Sequence, residues 1–248
     1  MSTPPTGPVD WSSYDAVLFD LDGVLTPTAE VHMRAWEQMF SDYLRRVGNQ
    51  SPYTESDYFD YIDGKPRYDG VRSLLASRGI TLPDGDASDA ADADTVAGLG
   101  NRKNDVFAAV LCDEGVTPYP GSVALLDQLA TISTKIAVVS SSKNAPAVLA
   151  AAGLADRFEV VVDGIVAEQQ GLSGKPDPDT YLYAAQLLGT TADRSVVVED
   201  ALSGVESGRA GNFGLVLGVD RGVGVDRLLA SGADVVVSDL AETIGAPR

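Results

Sequence analysis

The 248-residue chain is poor in several residue types. It has one cysteine, one histidine, three methionines and two tryptophans. The lone Cys112 has no partner for an internal disulfide, which fits a reducing, cytoplasmic setting and leaves the thiol as a small hydrophobe. Basic residues are scarce as well: 18 Lys and Arg stand against 36 Asp and Glu, a net charge of −18. An anion of this size is repelled by phosphate backbones, which excludes nucleic acid as the main partner. Small phosphorylated ligands stay open, because a few focused cations and a metal reverse the field locally. No apolar run approaches the roughly 18 residues a membrane span needs, so no membrane partner is expected. The opening MSTPPTGPVDWSS has neither the basic nor the apolar region of a secretory signal. Residues 1–12 read as a flexible tail. What remains, 44% hydrophobic and 22% charged, is the composition of a globular protein of one large or two modest domains.

Short apolar runs recur along the chain at Ala16–Phe19, Ile136–Val139, Val160–Val162, Val196–Val198, Leu215–Leu217 and Val235–Val237. They do not alternate with polar residues, as expected of strands covered on both faces. Helical stretches lie between several of them, for example Ala145–Ala152 before Gly153 and Pro178–Leu188 before Gly189. Strand, helix, strand, repeated, predicts an α/β fold with a Rossmann-like parallel-sheet core. Residues 28–115 break the rhythm. Val31, Ala35 and Met39, with Trp36 and Phe40, form one helical stripe; Val71, Leu74 and Leu75 mark a second helix, and Val106, Ala109 and Val110 a third. The Ala-, Asp- and Gly-rich stretch 83–100 reads as a solvated loop or a poorly capped short helix. The expected organisation is a core of residues 13–27 and 116–248 with a helical cap domain, 28–115, inserted after the first strand.

Four strand ends carry chemistry. Asp20 and Asp22, followed by Gly23, close the first strand, the edge where open α/β sheets bind ligands. Two carboxylates so close are costly without a cation between them, and the alternative is a pair of solvated turn aspartates. Ser140, Ser141, Ser142, Lys143 and Asn144 close the next strand and lead into a helix, whose backbone N–H groups suit a phosphate. Lys175 sits in a Gly-Lys-Pro-Asp-Pro turn and is otherwise a surface lysine. Glu199 and Asp200 end a fully apolar strand and are otherwise an N-cap.

Taken in order, Asp20-x-Asp22, Ser140, Lys175 and Glu199-Asp200 resemble the four motifs of the haloacid dehalogenase superfamily, over about 14–239 of the chain. Within it, the run from Asp20 through Thr26, Pro27, Thr28 and His32 to Trp36 is similar to the opening of the β-phosphoglucomutase family. Asp63-Gly64-Lys65-Pro66-Arg67 is similar to that family's substrate-selecting cap loop, and Arg102-Lys103-Asn104-Asp105 to a later cap motif. Three residues depart from the family pattern: Pro27 stands where an acidic residue is common, Asp63 where a lysine is expected and Gly70 where a serine is common.

The resemblance implies a Mg²⁺-dependent phosphotransferase. Asp20 would be the nucleophile and Asp22 the general acid and base. Mg²⁺ would be held by Asp20, the carbonyl of Asp22, Asp200 and, directly or through water, Glu199. Ser140, Ser141 and Lys175 would bind the transferring phosphate. Thr28, His32, Gly64, Arg67, Lys103, Ser142 and Asn144 would face a small phosphorylated sugar. The implied reaction interconverts β-D-glucose 1-phosphate and glucose 6-phosphate, with glucose 1,6-bisphosphate as intermediate and activator, in a monomer. The competing expectation is a phosphatase of the same superfamily acting on trehalose phosphate or a hexose phosphate. A non-catalytic sugar-phosphate sensor is disfavoured, because a binder has no need of a nucleophile beside an acid.

Overall fold

The computed structural model describes residues 8–48 and 51–245, without the side chains of Cys112 and Glu114. The reading of Cys112 therefore lies outside the described residues, as does the tail from 1 to 7. All six apolar runs are strands: β1 Ala16–Phe19, β2 Lys135–Val139, β3 Val160–Val162, β4 Ser195–Glu199, β5 Leu215–Val219 and β6 Val235–Val237. The helices are α1 Thr28–Val47, α2 Glu55–Tyr61, α3 Arg67–Ser77, α4 Val96–Glu114, α5 Pro120–Thr131, α6 Ala145–Ala151, α7 Gly164–Gln170, α8 Asp179–Leu187, α9 Leu202–Ala210 and α10 Val225–Ser231.

The strands form one sheet in the order β3-β2-β1-β4-β5-β6, and every pairing is parallel. Successive strand residues point to opposite faces. Val17, Phe19, Val138, Val196 and Val198 therefore join the cluster that includes Leu125, Leu126 and Leu129 of α5 and Val148 and Leu149 of α6. Ala16, Leu18, Ala137, Val139 and Val197 join the other, with Tyr181 and Ala184 of α8, Val205 of α9 and Leu228 of α10. Both faces are covered, which is why the runs are continuous rather than alternating. The chain leaves β1 toward β2 on one side and reaches β4 on the other, so the C-terminal end of β1 opens on the crevice where the strand order reverses.

Helices α1–α4 lie between β1 and the rest of the sheet and enclose a cluster of their own around Trp36, Met39, Phe40, Tyr43, Leu74, Leu75 and Leu99. Trp36, Phe40 and Tyr53 stack in series at 5.5 and 5.7 Å between centroids. The chain crosses between this insert and the sheet layers twice, and the two crossings are tied together: Tyr119 N–H donates to Leu25 O at 3.0 Å and Ser122 Oγ to Val24 O at 2.6 Å. Among the described residues no helix is long and apolar enough to cross a membrane.

Two expectations are corrected. The stretch 83–100 is a loop only as far as Thr95, whose hydroxyl accepts from Gly98 N–H and starts α4. Val96, Ala97 and Leu99 are buried in the first turns of that long helix, so tertiary burial overrides a loop-like composition. The tail is anchored before residue 12. Trp11 is 2% exposed, its indole N–H donates to Thr243 O at 3.2 Å, and Val9 N–H donates to the same oxygen at 3.0 Å. A buried indole needs an apolar shelter and an acceptor together, and the turn after β6 supplies both.

Candidate active site

The central feature is Lys175, buried at the head of the turn that leads into α8. Its ammonium donates to Asp20 Oδ1 at 2.6 Å, to Glu199 Oε1 at 2.5 Å and to Val139 O at 3.1 Å. It thereby ties the ends of β1, β2 and β4 together. Burial opposes its charge, but Asp20 and Glu199 outweigh burial and hold its pKa well above the usual lysine value.

Glu199 is fully engaged. Oε1 accepts from Lys175 and from Tyr181 O–H at 3.1 Å, and Oε2 accepts from the N–H groups of Asp200 and Ala201, each at 2.9 Å. Asp200 is the opposite case. Its carboxylate is buried, and no hydrogen bond reaches it among the described residues. Burial, with Asp63, Glu199, Asp20 and Asp22 around it, pushes its pKa well above the carboxylate range. Ligand oxygens of Asp20, Glu199 and Asp200 lie within 4.8 Å of one another. An unpartnered buried carboxylate beside a second one is the donor set that a hard divalent cation satisfies. Asp20 and Asp200 therefore fit as ligands, while the occupied lone pairs of Glu199 suit it to orient Lys175 and the loop. Gly23 makes room: its φ is +87°, and a Cβ there would fall 1.8 Å from Asp200 Oδ2.

Asp22 stands two residues beyond Asp20 with a different set of partners. Thr28 O–H donates to its Oδ1 at 2.5 Å, with Thr26 Oγ1 2.7 Å from Thr28 Oγ1. Ser140 O–H approaches Oδ2 at 3.4 Å. His32 Nε2 lies 3.3 Å from Oδ1 but outside hydrogen-bond geometry. Burial opposes ionisation of Asp22, yet His32, Thr28 and Lys103 outweigh it and bring its pKa down to about 2. His32 stacks on Phe107 at 4.0 Å, and its Nδ1 meets the Lys103 amine. Lys103 is buried over the rings of Trp36 and Phe107, at 5.2 and 4.9 Å. Burial, and then Arg67, lower its pKa to about 7.

Asp20, Asp22, His32, Trp36, Lys103, Ser140, Glu199 and Asp200 line one cavity of about 340 Å³ between the strand ends and the insert, within the size range of small-molecule sites. Lys65, Arg67, Arg72 and Lys103 of the insert face Asp20, Asp22, Glu199 and Asp200 across it. An otherwise anionic protein thus focuses cations on one wall. Asn104 Oδ1 accepts from Arg67 Nη2 at 2.9 Å and from Asn144 Nδ2 at 2.7 Å, joining α3, α4 and the start of α6.

Of the residues expected at the site, Lys175 and Thr28 are not on the cavity's lining and reach it only through Asp20 and Asp22; the others line it, and several of those are already bonded within the protein. Ser141 O–H donates to Gly64 O at 2.8 Å. Ser142 Oγ accepts from Asn144 N–H at 3.1 Å, and Thr28 supports Asp22. Sequence reasoning did not find Tyr181, Phe107 or Ser203 as site groups, and met Trp36 and Asn104 only as members of longer motifs without a role. They lie on helices whose approach to the strand ends is set by tertiary packing, and no local spacing signals it. Asp63 was noted only as a departure; it is half-buried, and desolvation and then Glu199 raise its pKa to about 7 while Tyr58 opposes the rise.

Residues 14–212 match the family model described as haloacid dehalogenase-like hydrolase. A β-phosphoglucomutase of Mycobacterium bovis is 49% identical over 239 residues, covering 92% of this chain and 91% of that protein. The β-phosphoglucomutase of Bacillus subtilis is 31% identical, covering 92% and 94% of the two chains. Among solved structures, a β-phosphoglucomutase from Clostridium difficile superposes with a TM-score of 0.74 at 24% identity, covering 92% of each chain, a likeness of fold.

Proposed function

This chain is an enzyme that belongs to the haloacid dehalogenase-like hydrolases, in their β-phosphoglucomutase branch, and we propose that it interconverts β-D-glucose 1-phosphate and glucose 6-phosphate. The observation that carries the reading is that Arg67 and Lys103 of the insert line the same cavity as Asp20, Asp22 and Asp200 of the strand ends, with the Lys175 ammonium bonded to Asp20 on the core side. A sugar bearing two phosphoryl groups needs cations from both walls, whereas a simple hydrolase needs only the first.

Asp20 attacks phosphorus in line and becomes an aspartyl phosphate. Lys175 holds the transferring oxygens together with Ser140. Asp22 protonates the leaving oxygen and deprotonates the incoming hydroxyl, with Thr28 and His32 fixing its orientation. Mg²⁺, when bound by Asp20, Asp200 and the carbonyl of Asp22, supplies charge neutralisation at the transferring phosphoryl group. Arg67 takes the other phosphate with its planar fork, exchanging Asn104 for the ligand. The insert, 28–115, acts as a cap that excludes water while Asp20 is phosphorylated. The intermediate, glucose 1,6-bisphosphate, turns over in the cavity and returns its other phosphoryl group to Asp20.

The test offers β-glucose 1-phosphate with Mg²⁺ and catalytic glucose 1,6-bisphosphate, and follows glucose 6-phosphate and free phosphate separately. Isomer in large excess over phosphate supports the mutase. Phosphate with little isomer makes the enzyme a sugar-phosphate phosphatase.

A further inference from the structure

The loop between α2 and α3 touches the core at two successive carbonyls. Asp63 O accepts from Ser203 O–H at 3.0 Å, and the next carbonyl, Gly64 O, accepts from Ser141 O–H at 2.8 Å. The two hydroxyls come from different core loops. Ser141 follows β2; Ser203 lies in the first turn of α9, three residues beyond Asp200. The approach is tight. Gly64 has φ +69°, and a Cβ there would lie 2.2 Å from Ser203 Oγ and 2.9 Å from Ala201 Cβ. Pro66 closes the same loop against Gly174, where a Cβ would meet its Cγ at 2.5 Å.

We propose that Ser203 is a positioning residue which, with Ser141, latches the insert over the cavity and so sets how the phosphorylated Asp20 divides between sugar and water. The inference rests on the phosphoryl-transfer reading given above. Ser203 is buried, so its hydrogen bond is partly shielded from water while the insert is docked. The ion pair Arg227–Asp60 also lies between insert and core at 2.8 Å, but its two side chains are 46% and 45% exposed, and exposed pairs contribute little. Ser203 is joined to Asp200 through one short turn, so the latch registers against the loop that carries the proposed metal ligand.

The experiment compares the full-length enzyme with Ser203→Ala and Ser203→Thr. Phosphate released per glucose 6-phosphate formed is measured in the mutase assay. Amide hydrogen exchange across 62–66 is measured without substrate. Loss of one neutral hydrogen bond shifts an equilibrium by about 2- to 12-fold. Ser203→Ala is therefore expected to raise both the phosphate-to-isomer ratio and the exchange rate of 62–66 by about 3- to 10-fold, with exchange in the strands unchanged. Ser203→Thr, which keeps the hydroxyl, is expected to restore both. An unchanged ratio together with unchanged exchange in Ser203→Ala overturns the latch. If the unmodified enzyme forms no glucose 6-phosphate, the mutase reading fails, and the exchange measurement still decides whether Ser203 holds the insert.

Discussion

Lys175 Nζ lies 2.5 Å from Glu199 Oε1, in a pair where both side chains are almost wholly buried. The contact joins the turn before α8 to the end of β4, and the same ammonium reaches Asp20 on β1. Removing it leaves two buried carboxylates without their cation. Lys175→Met, close to isosteric, is expected to destabilise the metal-free protein by about 3–5 kcal/mol and to abolish turnover. Urea unfolding in EDTA checks the first part; a loss below 1 kcal/mol (about a fivefold change in the folded ratio) would mean that the pair does not hold the strand ends together.

Asp20→Asn keeps the shape of the side chain and removes the attacking carboxylate. Turnover is expected to fall on the order of 10⁴-fold or more, as for other lost nucleophiles, while the thermal midpoint changes little or rises, because burial and then Glu199 and Asp22 disfavour the charge that is removed. Near-normal rates in a carefully repurified variant would remove Asp20 from its role.

Gly23→Ala places a methyl where Asp200 Oδ2 now lies, 1.8 Å from the built Cβ position. Mg²⁺ dependence is the readout. Displacing the carboxylate is expected to raise the half-saturating Mg²⁺ concentration by about 10- to 100-fold. An unchanged Mg²⁺ titration would show that Asp200 is not a ligand.

Lys103, whose pKa burial and Arg67 lower to about 7 from the usual lysine value of 10.5, gives a pH prediction with a definite sign. At pH 8 most of the ligand-free enzyme carries the neutral amine. A phosphate in the cavity favours the charged form, so binding takes up a proton and weakens as pH rises above about 7. Calorimetry at pH 8 in two buffers of different ionisation enthalpy should report this uptake, and Lys103→Gln should abolish it; buffer-independent heats in the unmodified enzyme would contradict it. Without ligand the sign reverses. The unfolded chain holds the proton up to about 10.5 and the folded one only to about 7, so this group makes stability rise with pH between those values.

Trp11→Ala tests the anchored start of the described chain. It removes a buried indole and its bond to Thr243 O and is expected to cost about 3–5 kcal/mol with kcat unaltered. A loss under about 0.5 kcal/mol, the range of a surface substitution, would mean that the segment frays in solution.

The sheet was legible because its strands are buried on both faces, and six continuous apolar runs became six strands. The ends of those runs then located Asp20, Ser140, Glu199 and Asp200 without any tertiary information, and Lys175 was read from its turn before α8. Legibility failed where burial contradicts local composition. The helix α2, Glu-Ser-Asp-Tyr-Phe-Asp-Tyr, is largely polar and is held by a capping box between Thr54 and Asp57. The start of α4 is hidden in a Gly- and Ala-rich stretch that only the cluster around Leu99 makes helical. At the site, Tyr181 and Ser203 contribute single hydroxyls from helix faces, and an isolated hydroxyl has no pattern to read.

In the proposed reaction, the stretch of backbone from Asp20 to Thr28 would serve as both reaction centre and pivot. Thr28 and His32, which steady Asp22, ride on α1, while Asp22 itself stays with the strand end. Any swing of α1 away from the sheet withdraws that support at the same moment that it admits solvent. An open molecule is then one whose proton carrier has lost its alignment, and a phosphorylated intermediate waiting for sugar is guarded by misalignment as much as by a roof.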